Sequence, residues 1–477
     1  MSHAENEPAA GGKLVRGLPM FTAQDAEALA AEKAHLAELA GKPFLERCKG
    51  YYAKTGPGWL QSALTLGAGS ASSSLIIGAF YQYDLLWLQP MAMLLGIIMM
   101  MALSYQTLST QARPFDAMRR YAHPAIAWSW AIATLVATVI WHLPQYALAG
   151  GMSADIITAT TGWDPSGGAR TALLIAIGLI ILTISTIITW NYSAGWKGVR
   201  IYERALKLMV WVIIVSFTIV IIRSAMLGKV EWGKVLKGFL PLKIPTDAKG
   251  IETVMGAFGA AIGINMTFLF PYTLLARGWG REHRGLSRFD LMTGMLLPFS
   301  MATSLMIIAA GCTLYGNVEG KLSTIQAAQM MAQAGVGVFF GRIIFGLGLI
   351  GMALSSITLH MLVSGFAFCE MFGIEPKGWK YKLACMIPAP AFLGVVLWKY
   401  MGFWIGVRTS AVCGILLPIA YIGFFILNNR KDYLGEDTPK GGLRLVWNIG
   451  MLAAIGATVA FVIHFLANNY DKILALK

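Results

Sequence analysis

Eleven apolar stretches punctuate this chain, at 57–82, 86–111, 124–150, 171–190, 204–224, 253–276, 291–314, 340–368, 383–403, 408–427 and 444–466. Most reach the roughly 20 residues that a helix needs to cross a bilayer. Hydrocarbon offers no water to pair backbone N–H and C=O groups, so each stretch must be helical. The expectation is an all-α integral membrane protein of about eleven transmembrane helices. Composition agrees, since only 13% of residues are charged against about 25% in soluble domains.

The basic residues set the topology. With the N-terminus inside, 25 of the 38 Lys and Arg lie on inner segments and 13 on outer ones. This positive-inside bias predicts an inner (plasma) membrane protein with a cytoplasmic N-terminus and an external C-terminus. The net charge of +14 is therefore a topology signal, and no nucleic-acid partner is expected; the partners are the lipid bilayer and a small solute, with the protein a monomer. The first fifty residues are polar and contain no cleavable signal. The five cysteines show no CxxC pairing and read as packed free thiols. Residues 1–52 form a leader whose 22–40 segment is amphipathic, with Thr22 as its cap. Residues 53–427 form a ten-helix core of two halves, 57–224 and 253–427, and 428–477 a linker and an eleventh helix. A solvated leader is the expected state.

Two of the spans are weak at their centres. The first carries Leu-Gly-Ala-Gly-Ser-Ala-Ser-Ser-Ser from Leu66, and the sixth carries Gly263, Asn265 and Thr267 before Pro271. Glycine and hydroxyl residues destabilise a helix where the bilayer supplies no replacement bonds. Breaks in spans one and six, five helices apart, match transporters whose site lies between two discontinuous helices of an inverted repeat. All 24 Asp and Glu fall in loops or at span ends, so no interior carboxylate is expected. Of the interior histidines, His142 and His360, each reads as a packing residue. No nucleophile–base pair, nucleotide loop or metal cluster supports an enzyme.

The motifs around these breaks resemble the Nramp family of metal-ion transporters. "GPGW" at 56–59 matches the entry to that family's first helix, "LLW" at 85–87 its second, and "RFD" at 288–290 with "SLMIIAA" at 304–310 its seventh. The resemblance runs from about residue 50 to the end and implies a LeuT-like inverted repeat of 5+5 helices with helices 1 and 6 discontinuous. The family's Asp-Pro-Gly-Asn falls on Gly67, Ala68, Gly69 and Ser70, and its Met-Pro-His-Asn on Gly263, Ile264, Asn265 and Met266. Acidic residues of its third helix fall on His142 and Gln145, and its tenth-helix glutamine on Ala411. The scaffold is thus similar while the metal ligands differ, as in a bicarbonate-transporting offshoot of the family.

Helix starts near Ser70 and Met266 would present unpaired N–H groups and positive dipole ends. With no carboxylate to offset them, they predict an anion site. No Arg or Lys lies near either break, which disfavours phosphate and sulfate and puts bicarbonate first. The expected substrate site is Gly67, Ala68, Gly69, Ser70, Ala71, Ser73, Gly263, Asn265, Met266 and Thr267, with no metal and no cofactor. A coupling ion, Na⁺, would sit near the Leu66 carbonyl with Ser355 and Ser356, or protons would pass through His142 and Gln145. The alternatives are a divalent metal ion, as the resemblance implies, or a small amino acid held by its carboxylate.

Overall fold

The computed structural model describes residues 14–20, 26–192, 195–241, 243, 245–318, 322–397 and 404–474. Among them, ten helical segments are long and apolar enough to cross a membrane, the sixth span interrupted near its middle, and a bent pair makes an eleventh span. That pair is Pro57–Thr65 and Ala68–Tyr81, meeting at 57°. Pro57 opens the first half at a position where its missing N–H costs nothing. The later spans follow the expected order, but several are longer. The third runs Pro124–Thr161 and the eighth Phe339–Met371.

Those extensions correct one expectation. Asp155, Glu203 and Asp290 are buried inside the extended helices rather than in loops, and Glu370 is half-buried at the end of the eighth. Each is answered locally. Arg342 Nη2 lies 2.6 Å from Asp155, Arg277 Nη1 2.8 Å from Glu203 and Arg113 Nη1 3.3 Å from Glu370. Asp290 accepts the backbone N–H groups of Gly56 and Gly58 at 3.2 and 2.7 Å. Paired charge at a helix end costs far less than a lone carboxylate in hydrocarbon.

The third and eighth spans pack along each other and form the wall against which the first break is set. Half-helix Ala68–Tyr81 lies on the seventh span, and half-helix Ala248–Ala261 on Trp404–Gly414 of the tenth. Small residues make these approaches possible: a Cβ on Gly78 would lie 2.5 Å from the Ile307 carbonyl oxygen, and one on Gly259 would collide with the Ser410 carbonyl. The eleventh helix, Gly441–Leu474, leaves Leu445, Val446, Ile449 and Leu452 exposed, as a lipid-facing helix does.

The leader helix spans Ala26–Ala40, and Thr22 lies outside the described residues. It is not a solvated appendage. Glu32, Leu36 and Leu39 are buried, and Glu32 accepts a hydrogen bond from Trp279 Nε1 at 2.9 Å.

Candidate functional site

Two chain breaks face one another beside the third and eighth spans. In the first, Leu66 (φ −75°, ψ 82°) leaves the helical path and Gly67 (φ −143°, ψ −164°) is extended. In the second, Ile262 (φ −135°, ψ 117°) and Gly263 (φ −97°, ψ 155°) separate Ala248–Ala261 from Ile264–Ala276. Thr65 ties the two together, its hydroxyl donating to the carbonyls of Ala260 at 2.6 Å and Ala261 at 2.9 Å. Between them is a cavity of about 20 Å³, room for one water or one bare ion.

Four backbone donors at the two helix starts are already engaged. Gly67 N–H donates to Ser70 Oγ at 3.0 Å, and Ala68 N–H to Gln145 Oε1 at 2.8 Å. Gly263 N–H meets Met266 Sδ at 3.2 Å, and Met266 N–H meets Asn265 Oδ1 at 3.0 Å. The Ser70 hydroxyl in turn donates to the Thr65 carbonyl at 2.8 Å. On the eighth span, Ser355 Oγ donates to the Ala63 carbonyl at 3.0 Å, and Ser356 Oγ to the carbonyls of Leu64 and Leu66 at 3.0 and 3.2 Å.

Glycine is required at two of these positions by close approach. A Cβ on Gly67 would lie 2.5 Å from Ser356 Oγ and 2.8 Å from Gln145 Nε2. One on Gly69 would overlap the Trp141 ring.

Of the residues expected to bind substrate, Gly67, Gly69, Ser70, Gly263, Asn265 and Met266 line the cavity. Ala68, Ala71, Ser73 and Thr267 do not. The Thr267 hydroxyl instead donates to the Ile264 carbonyl at 2.6 Å and accepts from Trp130 Nε1 at 3.1 Å. Gln145 lines the cavity as well as capping Ala68. Thr65, Trp141 and His360 also line it and were missed. His360 had a signal, an imidazole on an otherwise apolar helix; Trp141 had none. The two interior histidines form a pair rather than separate packing residues, with His142 and His360 ring centres 5.6 Å apart. Among the described residues, no three His, Cys, Asp or Glu side chains group around a metal position.

Eleven spans, two discontinuous and enclosing a central cavity, define a multi-pass membrane transporter of LeuT-like fold, not an enzyme. The chain belongs to the Nramp family: the profile described as natural resistance-associated macrophage protein-like matches residues 58–464. Manganese transporter pdt1 of Schizosaccharomyces pombe is 25% identical over 221 residues, 45% of this chain and only 38% of that protein. Divalent metal cation transporter MntH of Deinococcus radiodurans is 23% identical over 412 residues, covering 83% of this chain and 86% of its own. A crystal structure of the Eremococcus coleocola manganese transporter superposes with a TM-score of 0.70 at 15% identity, covering 87% of each chain, and shares the fold.

These findings overturn the expectation of a bicarbonate carrier. That reading rested on unpaired N–H groups at the helix starts, and the N–H groups of Gly67, Ala68, Gly263 and Met266 are instead capped from within. Those four donors are not free to hold an anion. The family match and the named relatives are those of metal-ion carriers. A small inorganic anion is accordingly withdrawn as the partner.

Proposed function

We propose that this chain carries a divalent metal cation across the membrane by alternating access, through a site built from neutral donors. The observation that supports this reading is the capping of the helix starts. With four of their N–H groups engaged, the cavity is also lined by lone pairs: Asn265 and Gln145 side-chain oxygens, the Met266 thioether and backbone carbonyls. The half-helices Pro57–Thr65 and Ala248–Ala261 also end at the cavity, and their C-terminal dipole ends favour positive charge. Without a carboxylate, affinity falls on oxygen, nitrogen and sulfur ligation alone, so this is a low-affinity carrier. A volume of about 20 Å³ admits a single bare ion.

The basic bias of the inner segments supports a cytoplasmic leader and an inner-membrane location. A coupling ion, if used, belongs at the Leu66 carbonyl that Ser356 now occupies. The test is Mn²⁺ quenching of a dye inside proteoliposomes. Mn²⁺ entry is expected, with Met266→Ala raising KM by roughly 10- to 100-fold, the range for disturbing a bound metal's surroundings. Liposomes that admit no Mn²⁺, Co²⁺ or Zn²⁺ above the protein-free control would overturn it.

A further inference from the structure

One turn from the first break, the third and eighth spans bring two imidazoles side by side at a tilt. His142 and His360 are 0% and 2% exposed, with ring centres 5.6 Å apart and planes inclined at 56°. Both nitrogens of His142 and Nδ1 of His360 are buried without a hydrogen-bond partner. Buried polar atoms are nearly always satisfied, so three orphaned imidazole nitrogens on two adjacent rings call for a guest.

We infer that His142 and His360 form a second cation site, in series with the cavity at the breaks, that takes a transition-metal ion and rejects Mg²⁺ and Ca²⁺. The inference rests on the divalent-cation reading above and names its cargo class. The separation suits the chemistry. A metal–nitrogen bond of about 2.0–2.1 Å plus roughly 1.1 Å from nitrogen to ring centre puts each centroid roughly 3.2 Å from a shared ion. Two such rings 5.6 Å apart then subtend an angle between tetrahedral and linear, open to further ligands.

Helical spacing supplies a candidate for these. Gln145 lies three residues after His142, on the same face of the third span, and it lines the break cavity together with His360. The route from cavity to pair is therefore short. Neutral imidazole binds ions of the Mn²⁺-to-Zn²⁺ series, whereas Mg²⁺ and Ca²⁺ require oxygen. No titratable carboxylate adjoins the pair in the described contacts; Tyr146 packs its ring on His142 at 5.3 Å.

The experiment is binding of Cu²⁺ and Co²⁺ to the full chain in detergent, followed by EPR and visible absorption. Two-nitrogen hyperfine structure from Cu²⁺ is expected, and one Co²⁺ per chain that a 1,000-fold excess of Mg²⁺ does not displace, beyond any weakly held ion in the break cavity. His142→Gln and His360→Gln, each checked for an unchanged melting profile, should each remove one nitrogen coupling. Absence of imidazole coupling in the parent, or its persistence in both variants, overturns the inference. Mn²⁺ transport can survive that outcome, while failure of transport with coupling intact would sink the carrier reading instead.

Discussion

Gly69 shows how tightly a single residue is specified here. Its missing Cβ makes room for the Trp141 ring, so Gly69→Ala overpacks the site. Such insertions cost about 1–3 kcal/mol, and a melting temperature several degrees lower with reduced Mn²⁺ flux is the expected result. An unchanged melt would show that Trp141 is free to move. Gly67→Asp should likewise be unstable alone, because Ser356 and Gln145 occupy the space. Combined with Gln145→Ala and Ser356→Gly, it should fold and bind Mn²⁺ more tightly than the parent, a difference that calorimetry reads directly.

Among the elements, the broken first span depends on the eighth. Ser356 shares its one hydroxyl hydrogen between two carbonyls at the break, those of Leu64 and Leu66. Ser356→Ala leaves buried acceptors unsatisfied, at about 1–3 kcal/mol. Faster hydrogen exchange confined to residues 62–70 is expected, and uniform exchange would contradict it. Both breaks were legible in the sequence because Gly-Ala-Gly-Ser and Gly-Ile-Asn weaken a helix in hydrocarbon, although the chain leaves the helical path only at Leu66–Gly67 and Ile262–Gly263, and the residues that follow open the next half-helices. Their sign was not. Whether the N–H of Ala68 is free depends on Gln145, 77 positions away, and no local pattern reports that partner. The pairing of His142 with His360 was hidden for the same reason: each looked solitary on its own helix.

At the scale of the molecule, the leader is a structural part of the carrier. Glu32 accepts from Trp279 Nε1 and lies 3.7 Å from Lys54 Nζ and 4.0 Å from Arg277 Nη2, joining the leader to the end of the sixth span. Removing one partner of a buried ion pair costs about 3–5 kcal/mol. Glu32→Ala should therefore lower stability markedly and expose a cysteine placed at position 55 to thiol reagents. Beside this contact lies a recess of about 200 Å³ lined by Arg200, Arg204, Lys207 and Arg277 with one carboxylate, Glu203. Its field repels divalent cations, so Arg204→Gln should speed Mn²⁺ entry from that side, and less so at high salt.

A second anchor of the leader responds to acid. Burial alone would raise Asp116, but the Val15 N–H and the side chains of Arg120 and Arg119 outweigh it and hold its carboxyl below the usual range. A depressed carboxylate stabilises the fold above its unfolded pKa of about 3.9, and loses that contribution as pH falls through its lower, folded value. Asp116→Asn should flatten the acid limb of the stability curve, leaving it unchanged if the anchor contributes nothing.

Gly67, Gln145 and Ser356 together fix the charge of the site as well as its shape. No single substitution accommodates a carboxylate at 67, because both neighbours already fill its volume. Removing either neighbour first uncaps Ala68 or strips the Leu64 and Leu66 carbonyls. Every stepwise route to a carboxylate at 67 crosses a less stable intermediate. Residue 67 is therefore held neutral by its neighbours: the neutral site is easier to refine than to charge.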